Sequence, residues 1–256
     1  MSHKVKVAIF GGSFDPFHKG HKNIIESLIQ LEKFDEIIVM PLGLAPHKNG
    51  YMTPAGYRYE MTRLAVLDLP EITLSDYEIN RPGKYSYTVD TIKYFKQKIK
   101  LDYLMNKHKK IKKKRSKYLK KHPRSIKKNY KFNKQILDDI SDTNLDVRIS
   151  LVYGSDALDT IESWHEPAEL MKSATLWICR RGGESTEHME RRAAYLKKKY
   201  QATIKFFDIT ETEFSGTEIR QHLIQDKKQK NKLPDPVWKF IYQNKIYLLQ
   251  DSMKKL

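Results

Sequence analysis

With a single cysteine, Cys179, the chain can form neither an intramolecular disulfide nor a cysteine-rich zinc site. Cys179 lies in Ala174-Thr-Leu-Trp-Ile-Cys179, where it reads as a small apolar core residue. Long hydrophobic runs are also missing. Val5 to Phe10 and Ile37 to Met40 fall well below the roughly 20 apolar residues a membrane helix needs, and Met1-Ser2-His3-Lys4 lacks the anatomy of a signal peptide. A cytoplasmic protein with no membrane partner is the expectation. Acids are nearly absent from one stretch only. Residues 96–134 hold 18 of the 48 lysines and arginines against one acid, Asp102, which leaves 30 bases and 30 acids for the rest of the chain. The net charge of +17 therefore describes that segment and not the whole protein.

What is present is an alternation of strand and helix patterns. Val5 to Phe10 reads as a strand, and Gly11-Gly-Ser-Phe-Asp-Pro16 as a turn. A helix follows, with Ile24, Ile25, Leu28 and Leu31 on one face. Glu36 to Met40 and Leu145 to Val152 read as strands, as do Ala174 to Cys179 and Thr203 to Phe207. Helices are predicted over Ala55 to Leu67, Thr217 to Gln225 and Val237 to Asn244. Such alternation implies a Rossmann-like α/β fold, a doubly wound parallel sheet covered on both faces. One domain over residues 1–256 is expected, interrupted at about 96–146 by a lysine-rich insertion that is either helical or disordered.

Two constellations carry chemistry. Gly11, Gly12, Ser13, Phe14 and Asp15 lead from the first strand into a helix that opens near His18 and His21. Glycines there let backbone approach a phosphate, the helix N-terminus offers free N–H groups, and the histidines are spaced to face one anion. An arbitrary His-x-x-His is more often a surface turn, but the flanking glycines, Asp15 and Pro16 weigh against that here. The second constellation is Phe214-Ser-Gly-Thr-Glu-Ile-Arg220. Ser215 and Glu218 fit a capping box, which predicts a helix start that gathers Gly216, Thr217 and Arg220 as donors around an anion.

Gly12-Ser-Phe-Asp-Pro-Phe-His-Lys-Gly-His21 resembles the signature of the nucleotidyltransferase superfamily, and the segment at 215–220 resembles its triphosphate-binding turn, with Gly216 where a hydroxyl residue is usual. Three further stretches resemble the bacterial nicotinate-nucleotide adenylyltransferase branch: Pro46-His47-Lys48, Asp76 to Thr91, and Gly154 to Leu170 with Trp164 and His165. The resemblance covers about residues 5–95 and 147–249. It implies transfer of AMP from ATP to nicotinate mononucleotide, with Mg²⁺ accompanying ATP and no protein-borne metal site. His18, His21, Lys48 and Arg220 would then be catalytic. Gly11, Gly12, Ser13, Phe14, Gly154, Asp156, Ser215, Gly216 and Thr217 would join the histidines and Arg220 at ATP. Asp15, Lys48, Tyr87, Thr88, Trp164, His165 and Arg180 would surround the acceptor. The closing segment, Leu233 to Tyr247, reads as a packing helix. The amide mononucleotide stays open as an alternative acceptor. Nucleic-acid binding through residues 96–134 and assembly into a homo-oligomer also remain open.

Overall fold

The computed structural model describes residues 3–43, 52–81, 85–121, 145–180, 186–209, 214–225 and 229–247. Its strands are β1 (His3–Gly12), β2 (Glu36–Pro41), β3 (Ile72–Leu74), β4 (Leu145–Gly154), β5 (Thr175–Arg180) and β6 (Thr203–Asp208). They form one sheet in the order β3-β2-β1-β4-β5-β6, every pairing parallel. The helices are α1 (Lys19–Gln30), α2 (Ala55–Ala65), α3 (Thr88–Lys121), α4 (Ala157–Thr160), α5 (Pro167–Ser173), α6 (Thr186–Tyr200), α7 (Gly216–Ile224) and α8 (Asp235–Gln243). A 3₁₀ turn, Ile161–Ser163, follows α4.

β1 shows why the sheet is doubly covered. Ala8 and Phe10 belong to the core beneath α1, α2, α7 and α8, whereas Val7 and Ile9 belong to the core beneath α3, α5 and α6. All four are at most 5% exposed. The period-2 alternation of a strand thus feeds two layers of helices instead of one wet and one dry face. Because β1 lies between β2 and β4, the chain winds outward in opposite directions from it. The crevice at the C-terminal ends of β1 and β4 is the switch point where α/β sheets bind ligands.

The basic segment divides differently from expectation. α3 is already under way at residue 96: Val89, Ile92 and Phe95 are buried on the sheet, and Ile99 and Tyr103 pack against the same core. Lys96 donates from Nζ to Ser173 O at 2.8 Å. Burial lowers its pKa, as a lysine used for its stem and one directed donor would show. Leu101 and Met105, by contrast, are exposed. α3 continues as one helix to Lys121, and residues 122–144 lie outside the described residues. β4 begins at Leu145.

The His3 ring stacks on Tyr103 at 5.6 Å, and His3 also pairs with Leu145 in the sheet. The two ends of the basic segment therefore lie near one another. Replacing residues 106–143 by a short glycine-containing linker is expected to leave kcat/KM within about twofold, the scale of a surface change worth ~0.5 kcal/mol. Steady-state assay of the excised protein checks this. A hundredfold fall would make the segment part of the working enzyme.

Candidate active site

At the end of β1 the chain turns through Gly12, where an added Cβ would lie 2.6 Å from Cε1 of Phe14. Phe14 has a positive φ of 49° and is buried, with its ring edge-on to His21 at 5.0 Å. The turn is thus held by an aromatic side chain folded back over a position that only glycine fits. His18 is the N-cap of α1 and is 6% exposed. Its N–H donates to Nδ1 of His21 at 3.2 Å, and the two imidazoles stack at 3.6 Å. Since Nδ1 of His21 accepts, the neutral ring carries its proton on Nε2 and is a donor there. Phe10, Phe14 and Phe17 all lie within about 6 Å of the His21 ring, so its orientation is fixed by packing.

The second motif comes to the same place from the other end of the chain. Arg220 donates from Nη1 to Asp15 O at 2.6 Å and from Nη2 to Thr217 Oγ1 at 3.1 Å. A Cβ at Gly216 would stand 3.5 Å from Asp15 O and 4.0 Å from Cδ2 of His18. The N-termini of α1 and α7 therefore converge with the histidine pair and a guanidinium on one spot, an arrangement of dipoles and N–H groups that favours negative charge. The capping box is half present. Ser215 Oγ accepts from Glu218 N at 3.5 Å, but the Glu218 carboxylate turns to Lys232 Nζ at 2.7 Å. Glu218 spends itself tying α7 to the loop before α8, and that pairing pulls its pKa down.

The acceptor-side residues gather beside it. Tyr87 stacks on His165 at 4.1 Å, and Trp164 meets Tyr153 edge-on at 5.1 Å. Thr88, at the start of α3, hydrogen-bonds Tyr153, whose phenol is pushed up by burial. A cavity of roughly 90 Å³ is lined by Gly11, Thr88, Tyr153 and Trp164 together. The phosphate loop and the aromatic cluster thus open into one space. Gly154 ends β4, and Asp156, exposed, caps α4 beyond it. Glu162, in the 3₁₀ turn just before Trp164, accepts from Arg192, Lys199 and Tyr200 at 2.8–3.0 Å, which draws its pKa down to about 2, the bonds from Lys199 and Arg192 contributing most. This surface anchor fixes the approach to Trp164.

Some expected site residues are committed elsewhere. Both carboxylate oxygens of Asp15 are taken inside the protein, Oδ1 by the Tyr247 hydroxyl at 2.7 Å and Oδ2 by Thr53 N at 3.2 Å. Asp15 is 6% exposed, and its carboxylate is a buried hub. Arg180, at the end of β5, forms a two-pronged pair with Asp208 at 2.8 and 2.9 Å. Arg81 pairs with Asp90 at 3.2 Å, and Thr91 donates to Glu78 at 2.8 Å, so the start of α3 is braced internally. Lys48 lies outside the described residues.

Arg58, which no sequence signal singles out, is 1% exposed under the loop. It donates to Thr53 O at 2.8 Å and to Ser13 O at 2.9 Å. Burial lowers its pKa, opposed by the nearby Asp15 charge. Its one trace in the sequence is a charged residue at an inward position of α2. Gly43 was likewise not anticipated: a Cβ there would lie 2.2 Å from Glu78 O. Backbone passes so closely that only glycine fits. Glu78 itself is buried, and desolvation raises its pKa.

A sheet switch point furnished in this way favours an anion, and the class that fold and site define is that of nucleotidyltransferase-like α/β proteins. Comparison narrows the class: the cytidylyltransferase-like family model matches residues 9–222, and the chain belongs to that family. A relative from Clostridium beijerinckii, named "Probable nicotinate-nucleotide adenylyltransferase", is 30% identical over 243 residues, 94% of this chain and 98% of that protein. One of the same name from Clostridium acetobutylicum is 28% identical over 244 residues, 95% of this chain and 99% of its own. Among solved structures, Plasmodium falciparum nicotinic acid mononucleotide adenylyltransferase complexed with NaAD superposes with a TM-score of 0.60 at 17% identity, covering 95% of this chain and 97% of that one. The same protein complexed with APC gives 0.58. At that identity the likeness speaks for the fold.

Proposed function

We propose that the protein transfers AMP from ATP to nicotinate mononucleotide, releasing pyrophosphate and nicotinate adenine dinucleotide. The observation that carries this reading is the 2.6 Å bond from Arg220 to Asp15 O, because it joins the two phosphate-handling motifs into one site. The curated relatives, matched over nearly their whole length, supply the acceptor. The acceptor's 5′-phosphate attacks the α-phosphorus of ATP in line, and the bond to the bridging oxygen of pyrophosphate breaks. No covalent intermediate with the protein is required.

Catalysis is then positioning and charge neutralisation. His18, His21, Lys48, Arg220 and the N–H groups at Ser215 and Gly216 take the triphosphate, with Gly11, Gly12, Ser13, Phe14, Gly154, Asp156 and Thr217 shaping the ATP site. Thr88, Tyr87, Trp164 and His165 receive the pyridine ring and its carboxylate. Among the described residues no group of three or more histidines, cysteines or acids is arranged to hold a metal. Mg²⁺ would arrive on the phosphates of ATP, with the exposed Asp156 a candidate carboxylate for it. Bound there, it would neutralise charge on the departing pyrophosphate.

We treat residues 1–256 as one catalytic unit with a basic segment inserted, working in the cytoplasm where ATP is supplied. No described helix is long and apolar enough to cross a membrane. The nucleic-acid reading has only the charge of α3 and its continuation in its favour, whereas the curated relatives run through 94–95% of the chain.

Purified protein with Mg²⁺–ATP and either the acid or the amide mononucleotide is expected to release pyrophosphate with a preference for the acid of about 10- to 100-fold in kcat/KM. That is the worth of one mispaired buried polar group, about 1.4–3 kcal/mol. Equal rates would remove the carboxylate-recognising role from Thr88 and Trp164. Turnover of neither would move the acceptor elsewhere in the family.

A further inference from the structure

We infer that Tyr247 is a positioning residue of the phosphate loop, acting through Asp15. The inference rests on reading that loop as the ATP site. Tyr247 follows α8, is 3% exposed, and places its hydroxyl 2.7 Å from Oδ1 of Asp15 across 232 residues of sequence. Residue 15 is gripped on both sides of its peptide. Its carboxylate is held by Tyr247 and by Thr53 N, and its carbonyl is held by Arg220. The phenol thus fixes the one residue whose main chain orients the guanidinium meant for the triphosphate. It stands three residues before His18.

The backbone of the tail is built to deliver this side chain. Tyr247 has a positive φ of 72° and Lys245 one of 49°, while Ile246 N bonds back to Ile241 O at 3.0 Å. Left-handed backbone at non-glycine residues persists only where the surroundings fix it. Packing alone asks for an apolar ring at 247 and not for a hydroxyl. A buried hydroxyl is retained where it has a partner, and its partner here is the loop. Burial, with the Asp15 charge beside it, raises the phenol's pKa well above the ordinary value, which keeps it a donor.

The test is Tyr247→Phe in the full chain, which keeps ring and backbone and removes only the hydroxyl, with its bonds to Asp15 and Thr53. Expected are a kcat about tenfold lower per folded molecule, weaker Mg²⁺–ATP binding by calorimetry, and faster amide exchange across residues 11–18, with the KM of the mononucleotide little changed. The control Tyr242→Phe, an exposed ring tilted against Trp238, is expected to change none of these. In Asp15→Asn, adding Tyr247→Phe should cost less than it costs the wild type, since both act on one contact. A Tyr247→Phe protein that melts earlier yet keeps wild-type kcat, ATP affinity and loop exchange would reduce the hydroxyl to packing and overturn the inference. ATP binding and exchange do not involve the acceptor. If the wild type binds ATP, shows these effects in the variant and turns over no pyridine mononucleotide, the proposed acceptor fails and the role of Tyr247 stands.

Discussion

Replacing His21 by alanine is expected to lower kcat by about a hundred- to a thousandfold, the usual cost of removing one donor aimed at transition-state charge. The fall in thermal stability should be much smaller than the fall in rate. His21 accepts the His18 N–H, stacks on His18, and is the ring on which Phe10, Phe14 and Phe17 converge. Alanine therefore removes a donor, an acceptor for the helix cap and some packing at once. His21→Asn separates them, because its amide oxygen can still receive the His18 N–H while the distal ring nitrogen is gone. Both variants should lose turnover, and the asparagine should recover most of the melting temperature. A His21→Asn protein with wild-type kcat would show that the ring's contribution is the cap and not the chemistry.

The second large effect falls on folding. Arg58→Met fills similar space but leaves the Asp15 carboxylate buried without its neighbouring positive charge and strips Ser13 O and Thr53 O of their donor. Breaking a buried charge arrangement from one side costs about 3–5 kcal/mol. In a chain of this size that corresponds to a drop of roughly 6–20 °C in melting temperature. Arg58→Lys retains the charge but not the fork, and should fall between. Thermal melting decides it: a shift under about 2 °C for the methionine variant would mean that Asp15 is adequately held by Tyr247 and Thr53 alone.

Where side-chain periodicity and local turn chemistry determine structure, they could be read directly. β1, β2, β4, β5 and β6 announce themselves as short β-branched runs, and their observed limits lie within two residues of expectation at either end. Ser215 caps α7 as its type and spacing demand. β3 is three residues long and half-buried, too short to leave a pattern, and it exists because Ile37, Ile38 and Val39 offer it an edge. α6, with its apolar positions separated by runs of charge, was also not anticipated.

In the candidate site, the convergence of His18, His21, Gly216, Thr217 and Arg220 was legible because a phosphate site needs particular residue types at fixed offsets. Asp15 sits inside that motif yet faces away from it, and nothing local distinguishes a carboxylate aimed at ligand from one aimed at Tyr247. Arg58 shows the same limit from the other side. Its environment is assembled from Ser13 and Thr53, on two separate stretches of chain, and an arginine in a helix gives no sign of being roofed by them.

The bond between Arg220 and Asp15 spans 205 residues, and that between Tyr247 and Asp15 spans 232. During synthesis the glycine loop and its histidines are thus finished long before the groups that complete them exist. A nascent chain still waiting for α7 and the tail owns half an anion site. On the reading proposed above, such a chain would be expected to hold a triphosphate poorly until both arrive.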